Sequence, residues 1–367
     1  MSDAQRTYFG GTDQPGTEPE TAPVDRDTII ELENVSVEFN MDRGVARVLD
    51  DISLEIYRGE TIGIVGESGS GKSMLAAALL DAVIEPGKLR GEITYHTSAG
   101  EEIDVLDLDP RTLRHFRWEA ISMVFQGAMN SFNPVMTIRE HFRDTLEAHN
   151  ANDPEMFERG QQLLADLYLE PDRILDSYPH ELSGGQKQRA LIALSLILQP
   201  KVLVMDEPTA ALDLLMQRSI IELLTELQEE YGFTLVFITH DLPLVKDLCD
   251  RLGVMYAFEL VEVGPVREVL GDSHHPYTRA LLNASPNLDT PVSEMRPIPG
   301  ESPDPINVPS GCSYHPRCPL AAPRCEEEDP NLVGVDDDRQ VACFFWDDVA
   351  NEIPLNVPGA KGGDSRE

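Results

Sequence analysis

Two segments near the start of the chain alternate apolar and polar residues. The first, TIIELENVSVEF, begins at Thr28, and the second, VLDDISLEI, follows after a short polar stretch. A period of two is typical of strands with one buried face, so this region predicts two antiparallel strands. The continuously apolar run TIGIVG comes next and ends in glycine, and SMLAAALLDAV behind it favours a helix. This order predicts a strand, a loop and a helix.

A helical pattern begins at about residue 130 and an alternating one follows it. IREHFRDTLEAH and PEMFERGQQLLADLYL, set apart by Pro134 and Pro179, predict an acidic helical subdomain at about 130–180. Then come the helix KQRALIALSLIL, the strand VLVMD, the helix LLMQRSIIELLTELQEEY and the strand TLVFITH. Apolar strands that alternate with helices imply a parallel sheet covered on both faces. We therefore predict an α/β fold with a mixed sheet, an antiparallel β subdomain and a helical subdomain.

The two ends of the chain lack this alternation of predicted strands and helices. Residues 1–27 are rich in Gly, Pro, Thr and acid, and their few apolar side chains cannot offset the entropy of ordering, so we predict a disordered lead. The main domain then spans 28–285. Frequent prolines and four cysteines predict a separate, irregular C-terminal module at 286–348, and we expect a disordered tail at 349–367.

Charge is the unusual feature of the composition. The 367 residues include 65 Asp and Glu against 29 Lys and Arg, a net charge of −36. This balance argues against nucleic acid or anionic lipid as a partner. Carboxylates spread along the whole chain suit a surface that stays hydrated in concentrated salt, where repulsion is screened within about 3 Å at 1 M. We expect a halophile's protein, with an ordinary acidic protein as the alternative.

No apolar run approaches the roughly 18 residues that a membrane span needs. The N-terminal segment also lacks the apolar stretch of a signal peptide. We therefore expect the chain to stay in the cytoplasm.

The segment GESGSGKS fits the phosphate-loop pattern G-x-x-x-x-G-K-[ST] and lies between a predicted strand and a predicted helix. Glycines let backbone N–H groups meet phosphate oxygens, Lys72 can reach the β and γ phosphates, and Ser73 offers a hydroxyl to Mg²⁺. A chance Gly/Ser turn is the alternative. The expected ATP-binding residues are Gly66, Ser68, Gly69, Ser70, Gly71, Lys72 and Ser73.

The strand VLVMD ends in two carboxylates, Asp206 and Glu207. In a phosphate-loop protein this arrangement places Asp206 near Mg²⁺, and Glu207 can polarise the attacking water. Because an acidic residue often ends a buried strand, the pair indicates a nucleotide site only in combination with the preceding phosphate loop.

The segment LSGGQKQR resembles the signature of the ATP-binding-cassette (ABC) family. Ser183 could also merely cap a helix that begins near Lys187. Further elements follow the family order: Gln126 as the Q-loop, Asp213 as the D-loop and His240 as the switch histidine. Phe39 lies where the family places an aromatic ring against adenine, although a strand Phe is as often a core residue. The stretch YAFELVEVG departs from the small, basic segment that is usual there.

The resemblance covers about residues 28–265 and implies the family mechanism. Two cassettes would face head to tail, with each ATP between one phosphate loop and the other subunit's signature. Glu207 would orient water, His240 would contact the γ-phosphate, and Gln126 would join Ser73 and Asp206 at Mg²⁺. The signature residues that would reach across are Ser183, Gly184, Gly185 and Gln186.

The tail resembles the C-terminal extension of the ATPase subunits of oligopeptide/dipeptide and nickel importers. The resemblance is carried by HHPYTRALLNASP, IPGESPDP, PSGCSYHPRCPLAAPRCEEEDPNLV and VACFFW. It implies two separate permease subunits, a second ATPase subunit that is usually a paralogue, an extracytoplasmic binding protein, and a place on the cytoplasmic face of the membrane. Nickel or another small solute is an alternative to peptide. A soluble ABC protein that acts on nucleic acid or ribosomes is a third possibility, which the charge opposes.

Four cysteines in the tail, Cys312, Cys318, Cys325 and Cys343, are separated by five, six and seventeen residues. A reducing cytosol disfavours structural disulfides, which leaves metal or free thiols. The spacing lacks the C-x₂-C pair typical of zinc and common ferredoxin patterns. The resemblance implies a [4Fe–4S] cluster, with zinc as the alternative. Cys249, on an apolar segment of the cassette, is expected to be a packed core thiol.

Overall fold

The structure is a computed structural model that describes residues 26–127, 131–210, 212–284, 298–336 and 338–355. The predicted disordered segments lie mostly outside the described residues, at 1–25 and 356–367. No helix in the described part of the chain is both long and apolar enough to cross a membrane.

One sheet of the fold is antiparallel throughout. Its strands run in the order β2-β1-β4-β5, with bounds β1 Thr28–Met41, β2 Gly44–Tyr57, β4 Gly87–His96 and β5 Glu102–Asp104. β1 and β2 form the pair that the alternating pattern predicts, and their apolar residues point to one buried face.

The second sheet has eight strands in the order β11-β12-β10-β9-β3-β8-β7-β6. The five strands from β9 to β6 are parallel, as predicted. Their bounds are β3 Thr61–Val65, β6 Ile121–Val124, β7 Val202–Asp206, β8 Thr234–Ile238 and β9 Arg251–Tyr256. β3, β7, β8 and β9 are buried along their whole length, which explains why they lack alternation.

An antiparallel edge completes this sheet. β10 Glu259–Pro265 pairs with β9 and with β12 Gln340–Val341, which pairs with β11 Val333–Gly334. Ala257 and Phe258 connect β9 to β10 with φ of 48° and 78°. Positive φ at both central residues is typical of a tight hairpin turn. The unusual YAFELVEVG stretch is therefore this hairpin, with Phe258 buried.

Helices cover both faces of the eight-stranded sheet, and two apolar cores result. The antiparallel sheet and α1 close one core, while α3 to α8 pack in the other. The bounds are α1 Lys72–Ala78, α2 Pro110–Glu119, α3 Ile138–Ala148, α4 Pro154–Asp166, α5 Pro171–Asp176, α6 Gly184–Leu196, α7 Leu214–Tyr231, α8 Leu242–Leu248, α9 Val266–Gly271, α10 Pro276–Ala284, α11 Pro323–Glu327 and α12 Val349–Glu352. α3, α4 and α5 lie within the span predicted for the helical subdomain.

The C-terminal extension is not a separate module. Its strand β12 extends the main sheet, and Tyr314, 2% exposed, packs edge-on against Tyr256 of β9. Residues 349–355, predicted to be disordered, include α12, in which Val349 is fully buried. The Ile353 carbonyl accepts a hydrogen bond from Arg279 Nη1 at 2.8 Å. The irregular sequence is ordered because the sheet edge supplies partners that the segment itself lacks.

Candidate functional site

The phosphate loop connects β3 to α1 and depends on glycine at its two ends. Gly66 has φ of +155°, and a Cβ there would lie 2.2 Å from the Met255 carbonyl oxygen. Gly71 has φ of +105°, and its Cβ would lie 2.7 Å from the Val48 carbonyl oxygen. Only glycine satisfies both the backbone conformation and the close approach. The loop is therefore built against β2 and β9, with Ser68 and Gly69 exposed at its tip.

Lys72 brings a buried positive charge to this loop. Its Nζ donates to the carbonyls of Gly66 at 2.9 Å and Glu67 at 2.8 Å, and it lies 3.4 Å from Ser70 Oγ. Burial lowers the pKa of Lys72, and the carboxylates of Glu207 and Asp206 oppose that shift. The ammonium is thus held where a phosphate anion would be neutralised.

Asp206 ends β7 with a carboxylate that is only 3% exposed. Burial raises the pKa of this group, while a hydrogen bond from Ser73 opposes the shift. Its Oδ1 has no hydrogen-bond partner among the described residues. A buried carboxylate oxygen without a partner is costly unless a cation or a donor meets it. Asp206 and the Ser73 hydroxyl are oxygen donors of the kind that Mg²⁺ prefers, so this pair fits the ion.

Two of the predicted catalytic residues, Gln126 and His240, contact the Glu207 carboxylate. Gln126 Nε2 donates to Glu207 Oε2 at 2.7 Å, and His240 Nδ1 lies 3.2 Å from Glu207 Oε1. Glu207 has a φ of 46°, and its N–H donates to the Ile238 carbonyl at 2.9 Å. This backbone conformation directs the Glu207 carboxylate away from the direction of β7 and places it at the edge where the parallel strands end. β7 and β8 are neighbours there, as predicted for Asp206 and His240.

The signature residues lie at the start of α6. Ser183 caps the helix: Gln186 N–H donates to Ser183 Oγ at 3.3 Å, and Ser183 N–H donates to Gln186 Oε1 at 3.0 Å. The helix therefore begins at Gly184 and not near Lys187, because this reciprocal pair satisfies the first free N–H groups. Capping and a signature role are compatible, since Ser183 remains exposed.

Asp213 lies next to the signature in space. It caps α7 by accepting from the N–H groups of Leu215 and Met216 at 3.1 and 3.0 Å. A Cβ on Gly185 would lie 2.1 Å from Met216 Cε, so the two helix starts are in contact. The described side-chain hydrogen bonds of Ser183 and Gln186 are to each other. The signature and Asp213 thus form a second group of predicted residues, joined by Gly185 and Met216.

Phe39 lies in β1, opposite Ala46 of β2 and Gly87 of β4. Its ring is half-buried, and a Cβ on Gly87 would lie 2.7 Å from Phe39 Cζ. Packing against a glycine leaves part of the ring available, so its contact with adenine stays a prediction.

Three residues that support the loop were not found from the sequence. Glu67 N–H donates to Tyr277 Oη at 2.8 Å, and Arg317 donates to both Glu67 carboxylate oxygens, at 2.7 and 3.1 Å. Phe258 N–H also donates to the Ser70 carbonyl at 3.1 Å. Glu67 occupies a variable position of the loop pattern, so no motif indicates its partners. The tail and the β9–β10 hairpin therefore both hold the phosphate loop.

The four tail cysteines line one small cavity together with aromatic side chains such as Tyr314 and Phe344. All four are free thiols. Burial raises the pKa of Cys312 and Cys343 to about 12 and that of Cys318 to about 11. Among the described residues, no three of these sulfurs lie within 4.8 Å of one another. Tetrahedral zinc with bonds of about 2.3 Å would need thiolates about 3.8 Å apart, which is closer than that limit.

Cys249 follows α8 and is 6% exposed, as expected of a core thiol. Burial raises its pKa far above the ordinary value.

Two protein families match separate parts of the chain. Residues 49–210 match the family described as ABC transporter, and residues 261–325 match the family described as oligopeptide/dipeptide transporter, C-terminal region. The first match contains the phosphate loop, the signature and Glu207. The second contains three of the four tail cysteines.

Curated relatives align over almost their whole length. The dipeptide transport ATP-binding protein DppD of Caldanaerobacter subterraneus is 40% identical over 323 residues, which are 87% of this chain and 98% of that protein. The oligopeptide transport ATP-binding protein OppD of Salmonella typhimurium is 40% identical over 325 residues, 88% of this chain and 95% of that protein.

Solved structures share the cassette fold. The dimeric ABC transporter cassette MJ0796 superposes with a TM-score of 0.57 at 31% identity, covering 65% of this chain and 99% of that one. A post-hydrolysis dimer of the same cassette bound to ADP and Pi gives a TM-score of 0.56 at 31% identity and the same coverage. The fold predicted from the sequence is thereby confirmed.

Proposed function

This chain belongs to the ABC transporter ATP-binding proteins of the oligopeptide/dipeptide importer family, and on that premise we propose that it hydrolyses ATP to energise peptide import. The observation that carries the proposal is the meeting of Gln126 and His240 at the Glu207 carboxylate. These three side chains lie at the edge of the sheet where Lys72 and Asp206 also lie. A phosphate clamp, a cation site and a water-orienting carboxylate at one edge are the parts that phosphoryl transfer to water requires.

Each side chain has a distinct part in the reaction. Lys72 neutralises the β and γ phosphates as negative charge shifts between them. Ser73 and Asp206, with Gln126, would hold the Mg²⁺ that accompanies ATP and neutralises its phosphates. Glu207 accepts a hydrogen bond from the attacking water and aligns it with the γ-phosphate.

His240 steadies the opposite side of the Glu207 carboxylate from Gln126. Its side chain is 63% exposed, while that of Glu207 is 18% exposed. The imidazole is therefore open to solvent, and we expect it to contact the γ-phosphate. Phe39 would stack on the adenine.

A complete site requires a second cassette. Ser183, Gly184, Gly185 and Gln186 lie beside Asp213 and Met216, and they would bind the ATP held by the partner cassette. Exposed Leu214 and Leu215, 68% and 81% exposed, lie beside Asp213 and provide apolar area for such an interface. The dimers described for the MJ0796 cassette support this arrangement. We expect the partner to be a paralogue.

The remaining partners would be two permease subunits and an extracytoplasmic solute-binding protein. Phe125 and Val135 flank the Gln126 segment with 53% and 77% exposure. Such apolar side chains support docking of a permease, which would place the chain on the cytoplasmic face of the membrane. The net charge of −36 opposes nucleic acid as a partner.

For the tail cysteines we propose a [4Fe–4S] cluster. Four thiols around one cavity supply the ligand number that such a cluster needs. Anaerobic purification followed by iron, sulfide and zinc analysis tests this assignment. About four irons and four sulfides per chain are expected. Cysteine thiols that are fully titratable, or an absence of iron and sulfide, would contradict it.

The acidic surface supports a further proposal, that the chain comes from a halophilic archaeon and needs concentrated salt. A charge of −36 over 367 residues destabilises the compact state through self-repulsion unless salt screens it.

The substitution Glu207→Gln tests the proposed hydrolysis. The amide keeps the shape and the hydrogen bond to His240 but polarises water poorly. We expect ATP binding and ATP-dependent dimerisation to persist while turnover falls by about 100-fold or more. Glu222→Gln, at an exposed position of α7, is the matched control and should hydrolyse ATP at the wild-type rate. Undiminished hydrolysis by Glu207→Gln would remove this residue from the mechanism.

A further inference from the structure

Three metal-ligating side chains meet where α2 ends beside the end of α3. His115 Nδ1 lies 2.7 Å and His149 Nδ1 lies 3.1 Å from the same oxygen, Glu119 Oε1. The two imidazole rings are perpendicular, with centroids 5.5 Å apart. Within the described residues this is the one group of three such side chains whose ligand atoms all lie within 4.8 Å of one another. It lies outside the nucleotide site and outside the cysteine cavity.

The backbone of α2 is bent so that these groups meet. Arg117 has ψ of 130° and Trp118 has φ of 83°, so the helix is interrupted between His115 and Glu119. Arg117 Nε donates to the Leu80 carbonyl at 2.8 Å, and its guanidinium also donates to the Asp81 carbonyl. A bulky residue at positive φ is unusual and persists only where surrounding contacts hold it. The bend is thereby anchored to the chain that follows α1.

The donor set matches a transition-metal site. Two imidazole nitrogens and one carboxylate oxygen, with a position left for water, form a ligand set that zinc uses in proteins. Bonds of about 2.0–2.2 Å in tetrahedral geometry would space the ligand atoms by about 3.3 Å, so small side-chain rotations suffice. The His149 side chain is 4% exposed and that of Glu119 is 44% exposed. One side of the site is therefore buried and fixed while the other is open to solvent.

We propose that His115, Glu119 and His149 bind one divalent transition-metal ion of the zinc class. Imidazole with carboxylate favours zinc, copper or nickel over magnesium, which prefers oxygen ligands alone. The cation would lie between the Glu119 carboxylate and the Nδ1 atoms of the two imidazoles.

The position of this site links metal binding to the nucleotide site through Gln126. β6 begins two residues after Glu119 and leads to Gln126, and α3 leads away from the Gln126 segment to His149 at its C-terminal cap. An ion bound here ties together the two elements that flank Gln126. It restrains Gln126 relative to Glu207 and slows turnover. This second step rests on the proposed ATPase function, whereas binding itself does not.

Metal titration of the full chain tests the site. The protein is stripped with a chelator and titrated with zinc and with cobalt, whose intense thiolate charge-transfer band distinguishes sulfur from nitrogen and oxygen ligands. We expect wild type to bind one more equivalent of zinc per chain than His115→Gln, His149→Gln or Glu119→Gln. At this site, affinity should fall by more than about 10-fold in each variant. The cobalt bound there should lack the thiolate band.

His96→Gln is the matched control, because His96 lies 3.6 Å from a single carboxylate, Glu31, and has no second imidazole described beside it. It should retain the wild-type stoichiometry. Glu119→Gln changes an exposed side chain and keeps both histidines. Its thermal unfolding therefore shows whether a loss of zinc binding results from a loss of folding.

Equal zinc stoichiometry in wild type and the three variants would overturn the site and leave a hydrogen-bonded triad. Zinc that binds without slowing ATP hydrolysis would overturn the restraint on Gln126. ATP hydrolysis by wild type that is stripped of zinc and supplied with Mg²⁺, measured in the same series, tests the proposed ATPase function separately.

Discussion

Arg317 in the C-terminal extension donates to both carboxylate oxygens of Glu67 in the phosphate loop, 250 residues earlier in the chain. The guanidinium is nearly buried, with 5% of the side chain exposed, and its centre lies 5.6 Å from the ring centroid of Tyr256. A planar fork on a carboxylate fixes both distance and orientation. The extension therefore bears directly on the loop that binds phosphate.

Arg317→Ala should weaken ATP binding and destabilise the fold. It leaves the Glu67 carboxylate without its charged partner, at a cost of about 1.5–3 kcal/mol. Partial solvent access at Glu67 favours the lower end. The Michaelis constant for ATP should rise more than the turnover number falls, because the loop is misplaced while Glu207 is untouched. Steady-state kinetics and thermal unfolding measure both effects.

Arg324→Ala is the control for that change, since Arg324 and Glu328 form an exposed pair on the same extension, both 57% exposed. Its effect on stability should stay within about 0.5 kcal/mol. Arg317→Lys should recover only part of the ATP affinity, because an ammonium cannot bind both oxygens in a fork. Kinetics of Arg317→Ala equal to wild type would show that the pair does not position the loop.

Gly66→Ala should abolish nucleotide binding. The new Cβ would meet the Met255 carbonyl at 2.2 Å, so the loop or β9 must shift. Gly271→Ala is the matched control, because no atom lies within 4 Å of its added Cβ and its φ is not positive. Fluorescent-nucleotide binding should separate the two variants. Wild-type affinity in Gly66→Ala would show that the loop adapts without this glycine.

Glu259 in β10 should make the unfolding free energy of the protein depend on pH. Burial, together with Asp329 and Asp50, raises its pKa from 4.5 to about 8. A carboxyl whose folded pKa is raised contributes stability that is present below its unfolded pKa and lost as pH rises through the folded pKa. Glu259→Gln cannot ionise, so its unfolding free energy relative to wild type should increase between about pH 5 and pH 8, by at most about 1.4 kcal/mol per pH unit.

Thermal unfolding at several pH values measures this difference. Glu222→Gln on the exposed face of α7 should run parallel to wild type throughout. A pH-independent difference for Glu259→Gln would mean that Glu259 is ionised in the folded protein across the range.

Salt should stabilise the protein strongly. Raising potassium chloride from about 0.1 M to about 2 M shortens the screening length from about 10 Å to below about 3 Å. The thermal midpoint should rise by several degrees and ATP hydrolysis should increase. A neutral osmolyte at matched water activity should not reproduce the full gain. A protein that keeps its fold and activity in dilute buffer would refute the halophilic proposal.

Much of the nucleotide site could be predicted because its chemistry is local in the chain. Gly66 to Ser73 are consecutive, and Asp206 and Glu207 end one apolar strand, so the spacing alone indicates their roles. The strand and helix periods likewise depend on neighbouring residues. Parallel strands then bring Glu207 and His240 to one edge, which strand order makes predictable once the sheet is inferred.

The helix start at Gly184 and the ordered extension were misjudged for related reasons. A Ser–Gln capping pair adds stability that propensity near Lys187 does not reveal. The extension has little periodicity of its own, and its order comes from β10, whose edge accepts β12. In both places specific hydrogen-bond partners decided the structure, three residues away for Ser183 and far along the chain for β12.

The sequence by itself determined the fold class, the phosphate loop, the catalytic carboxylates and the resemblance to peptide importers, because these follow from short-range spacing and periodicity. Only the tertiary structure decided that Arg317 holds Glu67 and that His149 meets His115 and Glu119. Those contacts join residues that are far apart in the chain, where side-chain packing and burial select the partner and no local pattern encodes it.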